Sequence, residues 1–248
     1  VLARPWRRIL SSKRPVSTHF LPGDPPVEVV LRRNRRAKRF SLRVSRSDGR
    51  VSLSLPTWAP EDEALAFLHD RADLVRRHLD AAPVPRKARI GAEIPICGVA
   101  RPVVAGTGRA ARFEDGRILV PPGPREGPRL RALLSTLARE RLARAVAVHA
   151  EALGKMPGKL TLRDPRSRWG SCSARGDLMF SWRLIMAPPP VLDYVAAHEV
   201  AHLVEMNHAP AFWSVCRSLC PETDMHRKWL KSRGPDLLSW QFDGQREE

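Results

Sequence analysis

Two stretches near the N-terminal third of the chain alternate strictly between apolar and polar residues. Phe40, Leu42 and Val44 are interleaved with Ser41, Arg43 and Ser45, and Val51, Leu53 and Leu55 with serines. A period of two places one set of side chains on each face of a strand, and Ser47-Asp48-Gly49-Arg50 between them supplies turn residues, so a β-hairpin is predicted. Pro60-Glu61-Asp62-Glu63 then opens a helix with acids in its first turn. Leu65, Leu68, Ala72, Val75 and Leu79 form its apolar stripe, and it should end near Pro83. Short strands follow around Ile94 to Cys97, Val103 to Val104 and Ala110 to Val120, the last broken by an Asp115-Gly116 turn.

From Pro128 to Leu153 the apolar residues Leu130, Leu133, Leu134, Leu137, Leu142, Ala145 and Val146 recur at helical spacing, and Gly154 suits the C-terminal cap. Lys159 to Arg163 and Asp177 to Leu184 read as strands on either side of RSRWGSCSARG, and Pro188 to Pro190 lead into another helix. Residues 1 to 26 have no apolar period and combine Arg4, Arg7, Arg8, Lys13 and Arg14 with Pro22, Pro25 and Pro26, the pattern of a flexible basic arm. The expected order is therefore an arm (1–26), a β-rich N-terminal region (27–124) and a C-terminal α+β region (125–248).

A chain of 248 residues with 43% hydrophobic residues can bury one substantial core or two modest ones. Its formal charge of +17 is concentrated at the N-terminus, where the first fifty residues carry 14 Lys and Arg against 3 Asp and Glu. Such a field attracts polyanions, so nucleic acid is a candidate partner of the N-terminal basic region. The densest cluster, RRNRRAKR from Arg32 to Arg39, is equally what a charged strand edge needs to discourage edge-to-edge pairing. Aromatic residues are scarce around it, which argues against a stacking platform for single strands. Four cysteines without regular spacing point to reduced thiols, and with no signal-peptide pattern and no run of ~20 apolar residues the expected location is the cytoplasm, with no membrane partner.

The segment VLDYVAAHEVAHLVEMNH carries the chemistry. On a helix, His198 and His202 project from one face about a turn apart, which suits two imidazole nitrogens at ~2.0–2.1 Å from one zinc ion. Glu199 is offset in phase, placed to act as general base on a metal-bound water. A third ligand must come from downstream, where Glu205, His208 and His226 are the candidates. Glu205 would lie roughly 10.5 Å of helix rise from His198, too far to share a small ion. His208 requires the helix to end first, and Asn207, able to adopt the left-handed conformation, is a suitable turning residue. His226 ranks behind it. An HExxH string also arises by chance in apolar helices, in which case the histidines are ordinary polar groups.

RSRWGSCSARG (Arg166 to Gly176) followed by LMFSWRLIMAPPPVLDYVAAHEVAHLVEMNHAPAFW (Leu178 to Trp213) resembles the YgjP-like metallopeptidase family, related to the SprT-like zinc peptidases. RRNRRAKRFSLRVSRSDGRVSLSLP (Arg32 to Pro56) is similar to that family's amino-terminal strands. The resemblance implies a zincin-like catalytic domain with an active-site helix beside a small sheet, one zinc ion held by His198, His202 and His208, Glu199 as catalytic base, and a peptide or protein substrate. The chain departs from the family pattern at Ser181, where asparagine is usual, and at Ala209, where serine is frequent. It also lacks the paired-cysteine ribbon of some SprT-like proteins.

The expectation is a zinc metallopeptidase. Its rivals are a SprT-like protein acting on or binding proteins at nucleic acid, and a non-peptide amidohydrolase. Other residues have plain structural readings beside their functional ones. Tyr194 could donate to an oxyanion but packing is the commoner role, and Arg166 and Arg168 could meet a substrate carboxylate or simply be solvated. Trp169 and Trp182 flank the site or belong to the core. Cys216 and Cys220, four apart, are read as small buried hydrophobes ahead of a second zinc site.

Overall fold

The computed structural model describes residues 16–45, 49–81 and 83–242. The chain divides into two compact units, Val1–Ala82 and Pro83–Glu248.

In the first unit, β1 (Val16–Leu21), β2 (Val27–Asn34), β3 (Ser41–Val44) and β4 (Val51–Pro56) form a sheet in the order β1-β2-β4-β3. The expected hairpin is present as antiparallel β3 and β4, closed by Ser45 N donating to Arg50 O at 2.8 Å, and its central turn falls outside the described residues. Val51, Leu53 and Leu55 turn inward as the alternation predicts. The arm expected over residues 1–26 needs correcting: Val16–Leu21 is a strand paired antiparallel with β2, and Leu21 is buried. Residues 17 to 20 bury no side chain fully, so this edge strand is held by main-chain hydrogen bonds and shows no apolar period. The rest of the predicted arm, residues 1–15, lies outside the described residues. The helix expected from Pro60 is divided into α1 (Glu61–His69) and α2 (Ala72–Asp80). Arg71 N closes a tighter bond to Leu68 O at 3.1 Å, and its guanidinium takes the Phe67 carbonyl at 3.3 Å. Ala64, Leu68 and Val75 then all face the sheet's core.

The second unit begins with β5 (Arg86–Lys87), β6 (Glu93–Ile96), β7 (Val99–Ala105), β8 (Arg112–Glu114) and β9 (Arg117–Val120). β6 to β9 make a sheet in the order β6-β7-β9-β8. Grouped by the sequence with the N-terminal region, these strands instead share a core with the rest of the second unit: Ile94, Ile96, Val103, Ile118 and Val120 pack in one cluster with Leu130, Leu134, Phe180 and Val200. The unit boundary lies at Ala82 and Pro83, where the sequence suggested residues 124 and 125.

The long helix α3 (Glu126–Ala152) buries Leu130, Leu134, Ala138, Leu142 and Val146 on one stripe. It stops at Gly154 as expected, with φ of 59°, Gly154 N bonding Glu151 O and Lys155 N bonding Ala150 O, both at 2.9 Å. This pair of bonds satisfies carbonyls that the last turn would leave free. A three-stranded sheet follows, β10 (Leu160–Arg163), β11 (Gly170–Cys172) and β12 (Leu178–Ser181), in the order β10-β12-β11.

The strand expected to reach Leu184 ends at Ser181, and Trp182–Met186 wind into a 3-10 turn. Ser181 Oγ accepts from Arg183 N at 3.4 Å, so this side chain caps the turn. Cys97 N donates to Ile185 O at 2.7 Å, fastening the tip of the β6–β7 hairpin to the same turn. The chain continues as α4 (Pro189–Ala201), α5 (Pro210–Leu219), α6 (Thr223–Leu238) and the short β13 (Trp240–Gln241), which pairs with β5.

Arg183 ties these pieces together from a position 5% exposed. Its Nε and a terminal nitrogen donate to the two carboxylate oxygens of Asp164 at 2.6 and 3.1 Å, and its remaining terminal nitrogen donates to the carbonyls of Leu237 and Trp240, both at 2.9 Å. One guanidinium therefore joins the segment after β10 to the end of α6. Replacing it leaves a carboxylate and two carbonyls without their donor, and Arg183→Met should destabilise the fold by about 3–5 kcal/mol in denaturant titrations. Arg112→Ala, which breaks an ion pair between two exposed side chains, should cost under about 1 kcal/mol. Equal costs would show that Arg183 does not hold this junction.

Candidate metal centre

The helix α4 starts at Pro189, where the missing N–H of proline costs nothing because first-turn N–H groups have no helical partner. It is buried nearly all round, so His198 and Glu199 are carried into the core, with Glu199 4% exposed. His202 is the C-cap residue, still in helical conformation, which preserves the four-residue spacing on one face.

The chain then tightens, with Leu203 N bonding Val200 O at 2.9 Å and Glu205 N bonding Ala201 O at 3.0 Å, and reverses toward α5. The left-handed conformation expected of Asn207 is not used: among the described residues the non-glycine positions with positive φ are Cys97 and Asp115. Instead Asn207 Oδ1 accepts from Ala209 N at 3.0 Å, so the side chain mimics a turn of backbone. This returns His208 to the helix, where its carbonyl accepts from Trp213 Nε1 at 3.1 Å.

One ring nitrogen from each of His198, His202 and His208 lies within 4.8 Å of the others, a spacing that one ion can bridge. Nε2 of His198 and Nε2 of His208 are 3.1 Å apart. Two nitrogens bound at ~2.0–2.1 Å to one tetrahedral ion stand about 3.3 Å apart, so the donor set fits a metal of zinc's size. His202 Nδ1 is 2.9 Å from the Glu205 carbonyl and donates to it, which leaves Nε2 with a free lone pair. A bond of this kind fixes the orientation of a ligating ring. Glu205 therefore serves through its backbone. Phe212, fully buried, lies under all three rings at centroid distances of 4.9, 4.4 and 4.7 Å. Phe212 lies within the stretch that carries the family resemblance, but its part as the common floor depends on how α5 packs against α4.

Burial lowers the His198 pKa to about 4, and the neighbouring His202 and His208 add to the effect. His202 is also lowered, by burial first. Neutral imidazoles are the form that binds metal. Burial pushes Glu199 the other way, up to about 8, partly offset by the charge of Arg168, an exposed residue. Glu199 Oε2 and His198 Nδ1 are buried without a hydrogen-bond partner, so no bond within the protein competes for the carboxylate oxygen.

Glu199 faces β11. A Cβ added at Gly170 would lie 2.4 Å from Glu199 Oε1, so the glycine of the WGSC stretch is the space the carboxyl occupies. Trp169 is partly buried against Gly234 of α6, and Trp182 is a core residue 2% exposed. Tyr194, 5% exposed, packs its ring 5.9 Å from that of His198, with its phenol pKa raised chiefly by burial. Cys172 lies close enough for Glu199 to raise its thiol pKa, an effect second to burial. His226 stands apart from the three-histidine cluster, grouped with Cys220 and Glu222.

The contact at Gly170 can be read thermodynamically. Gly170→Ala should cost about 1–3 kcal/mol by overpacking. Made in a Glu199→Ala background it should cost under about 0.5 kcal/mol, because the obstructing carboxyl is gone. A cost that does not depend on residue 199 would place the crowding elsewhere.

Searches among curated proteins and among solved structures return no match. A family model described as YgjP-like, metallopeptidase domain, matches residues 38–233. That span runs from the N-terminal sheet into α6 and includes the HExxH helix, the returning histidine and the glycine against Glu199. The chain belongs to the YgjP-like family of metallopeptidase domains, whose chemistry is metal-dependent hydrolysis.

Proposed function

We propose that this protein is a zinc-dependent peptidase, with the ion held by His198, His202 and His208 and Glu199 acting as the catalytic base. The observation that carries this reading is the convergence of three imidazole nitrogens with a buried, unpartnered carboxylate at the end of one helix. Zinc bound there would supply positive charge that acidifies a water to a pKa near 7, polarises a carbonyl and draws the Glu199 pKa down.

Glu199 Oε2 accepts the proton of the attacking water and returns it to the departing amide nitrogen, a task suited to a carboxyl tuned toward neutral pH. Burial favours the neutral forms of His198 and His202, and His202 is kept in one tautomer by its bond to the Glu205 carbonyl. Peptide substrate, in place of another amide, is supported by the family and by β11: this edge strand lies against Glu199 through Gly170, and an extended chain can pair with an exposed strand edge. None of the helices among the described residues is long and apolar enough to cross a membrane, and all four cysteines are free thiols, which supports a reducing compartment such as the cytoplasm.

A second reading places the peptidase at nucleic acid. It is favoured by Arg32, Arg35, Arg36, Lys38 and Arg39, all exposed at the end of β2 and the turn beyond it. Arg33, in contrast, is occupied within its own unit, donating to the carbonyls of Thr57 and Ala59 at 3.2 and 2.8 Å. Binding to a DNA duplex should weaken steeply with salt and fall on neutralising the five exposed residues. Absence of binding at low salt would end this reading.

For the hydrolytic site, Glu199→Gln should retain its zinc while cleavage falls by at least about 100-fold, the scale of a lost general base. His208→Ala should weaken zinc binding by more than ~100-fold, beyond the loss expected for an outer hydrogen bond. Full cleavage by the glutamine variant, or unchanged zinc affinity of the alanine variant, would remove that residue from its role.

A further inference from the structure

A second group of ligand-type side chains lies at the joint between α5 and α6. Cys220 caps the C-terminus of α5, Glu222 is the N-cap residue of α6, and His226 sits one turn further on. The four-residue spacing of Glu222 and His226 brings their side chains to the same side of the helix end. One donor atom from each of the three residues lies within 4.8 Å of the others.

Two of the three are taken out of water. Cys220 is 5% and His226 7% exposed, while Glu222 is at the surface. Among the described residues none hydrogen-bonds a ring nitrogen of His226 or the carboxylate of Glu222. The contact made by the His226 ring is with Tyr194, at 6.2 Å between centroids. With no hydrogen bond committing either group, the imidazole and the carboxylate are both available as ligands. The turn is held in place independently of the cluster: buried Thr223 donates its hydroxyl to the Cys220 carbonyl at 2.7 Å and meets the Cys216 thiol at 3.5 Å. Cys220, and not Cys216, is the sulfur that converges with Glu222 and His226.

We propose that Cys220, Glu222 and His226 form a second metal site, separate from the three histidines, which takes zinc or a similar divalent ion. A thiolate, an imidazole and a carboxylate are donors that zinc accepts in one tetrahedral shell, whereas magnesium and calcium require oxygen throughout. Binding transfers the Cys220 thiol proton to solvent and changes no oxidation state. The exposed carboxylate turns the fourth position toward water. With three protein ligands drawn from one turn, the ion acts as a clamp on the α5–α6 joint, next to the tyrosine that packs between His198 and His226.

Cobalt(II) tests this directly in the full chain, because the histidine cluster offers no sulfur and only a cysteine ligand produces a sulfur-to-cobalt charge-transfer band in the near ultraviolet. The metal-free protein should take up about two ions, with the band present. Cys220→Ser should lose the band and one ion, and Cys216→Ser should keep both. A His198→Ala, His202→Ala double variant should lose one ion yet keep the band, so failure of this site and failure of the hydrolytic site are separable. Glu222→Gln, a conservative change at an exposed position, should leave the fold intact by circular dichroism and weaken zinc at this site by roughly 10-fold or more. A single bound ion with no thiolate band, a band that survives Cys220→Ser, or unchanged affinity in Glu222→Gln would overturn the proposal.

Discussion

The helix α4 has almost no solvent face, and the second unit is organised around that constraint. Val191, Leu192, Tyr194, Val195, Ala196, Ala197, Val200 and Ala201 are all buried. A helix apolar on every side needs neighbours on every side. α3 and the 3-10 turn, β11, α5 and α6 supply them. Arg183, reaching from the 3-10 turn to Asp164 and to the end of α6, closes this wrap with hydrogen bonds where apolar contact alone would let the layers slide. His198 and Glu199, which α4 carries into this interior, are then in surroundings that disfavour charge. His198 is held neutral and Glu199 is held toward its protonated form by the same burial.

Much of this was readable along the chain because the signals were local. The alternation at Val51, Leu53 and Leu55, the stripe of α3 and its glycine stop, and the prolines that open α4 each depend on a few adjacent residues, and each appears where expected. Features that depend on distant partners were not readable. β1 shows no apolar period because its hydrogen bonds to β2 hold it. The strand before the site ends at Ser181 because that serine caps a turn which receives Cys97 from a hairpin about ninety residues earlier in the sequence. For the same reason the β6–β9 strands joined the catalytic unit, since local patterning does not say which core a strand completes.

The site divides along the same line. His198, Glu199 and His202 follow from helical phase, and the return of His208 was anticipated from spacing, though the device differs. Asn207 works through its side-chain oxygen, so the backbone avoids the cost of a left-handed residue. Phe212 and Gly170 carry no chemistry of their own, and although both fall within the stretches that carry the family resemblance, nothing along the chain indicates what they do. One is a floor under three rings, and the other is an absence of side chain where a carboxyl must fit. His226 ranked as a distant candidate for the catalytic ion. Its actual neighbours, Cys220 and Glu222, are close in sequence, but their convergence depends on how the α5–α6 turn is wound.

An unpartnered buried polar atom does not by itself mark a functional site. Trp182 Nε1 is buried without a hydrogen-bond partner just as Glu199 Oε2 is, yet it belongs to a large core side chain stacked edge-on against Phe242 at 5.0 Å. There the area buried by the indole outweighs one lost bond of about 1–3 kcal/mol. Glu199 brings no comparable apolar gain. Alanine at its position would remove the desolvation cost and extend the apolar surface of α4, and Gly170 would no longer need to be a glycine to make room for it. Two adjacent positions on different elements are thus shaped for a carboxyl that weakens the fold. What they gain is a proton acceptor held, without competing hydrogen bonds, beside three converging imidazoles.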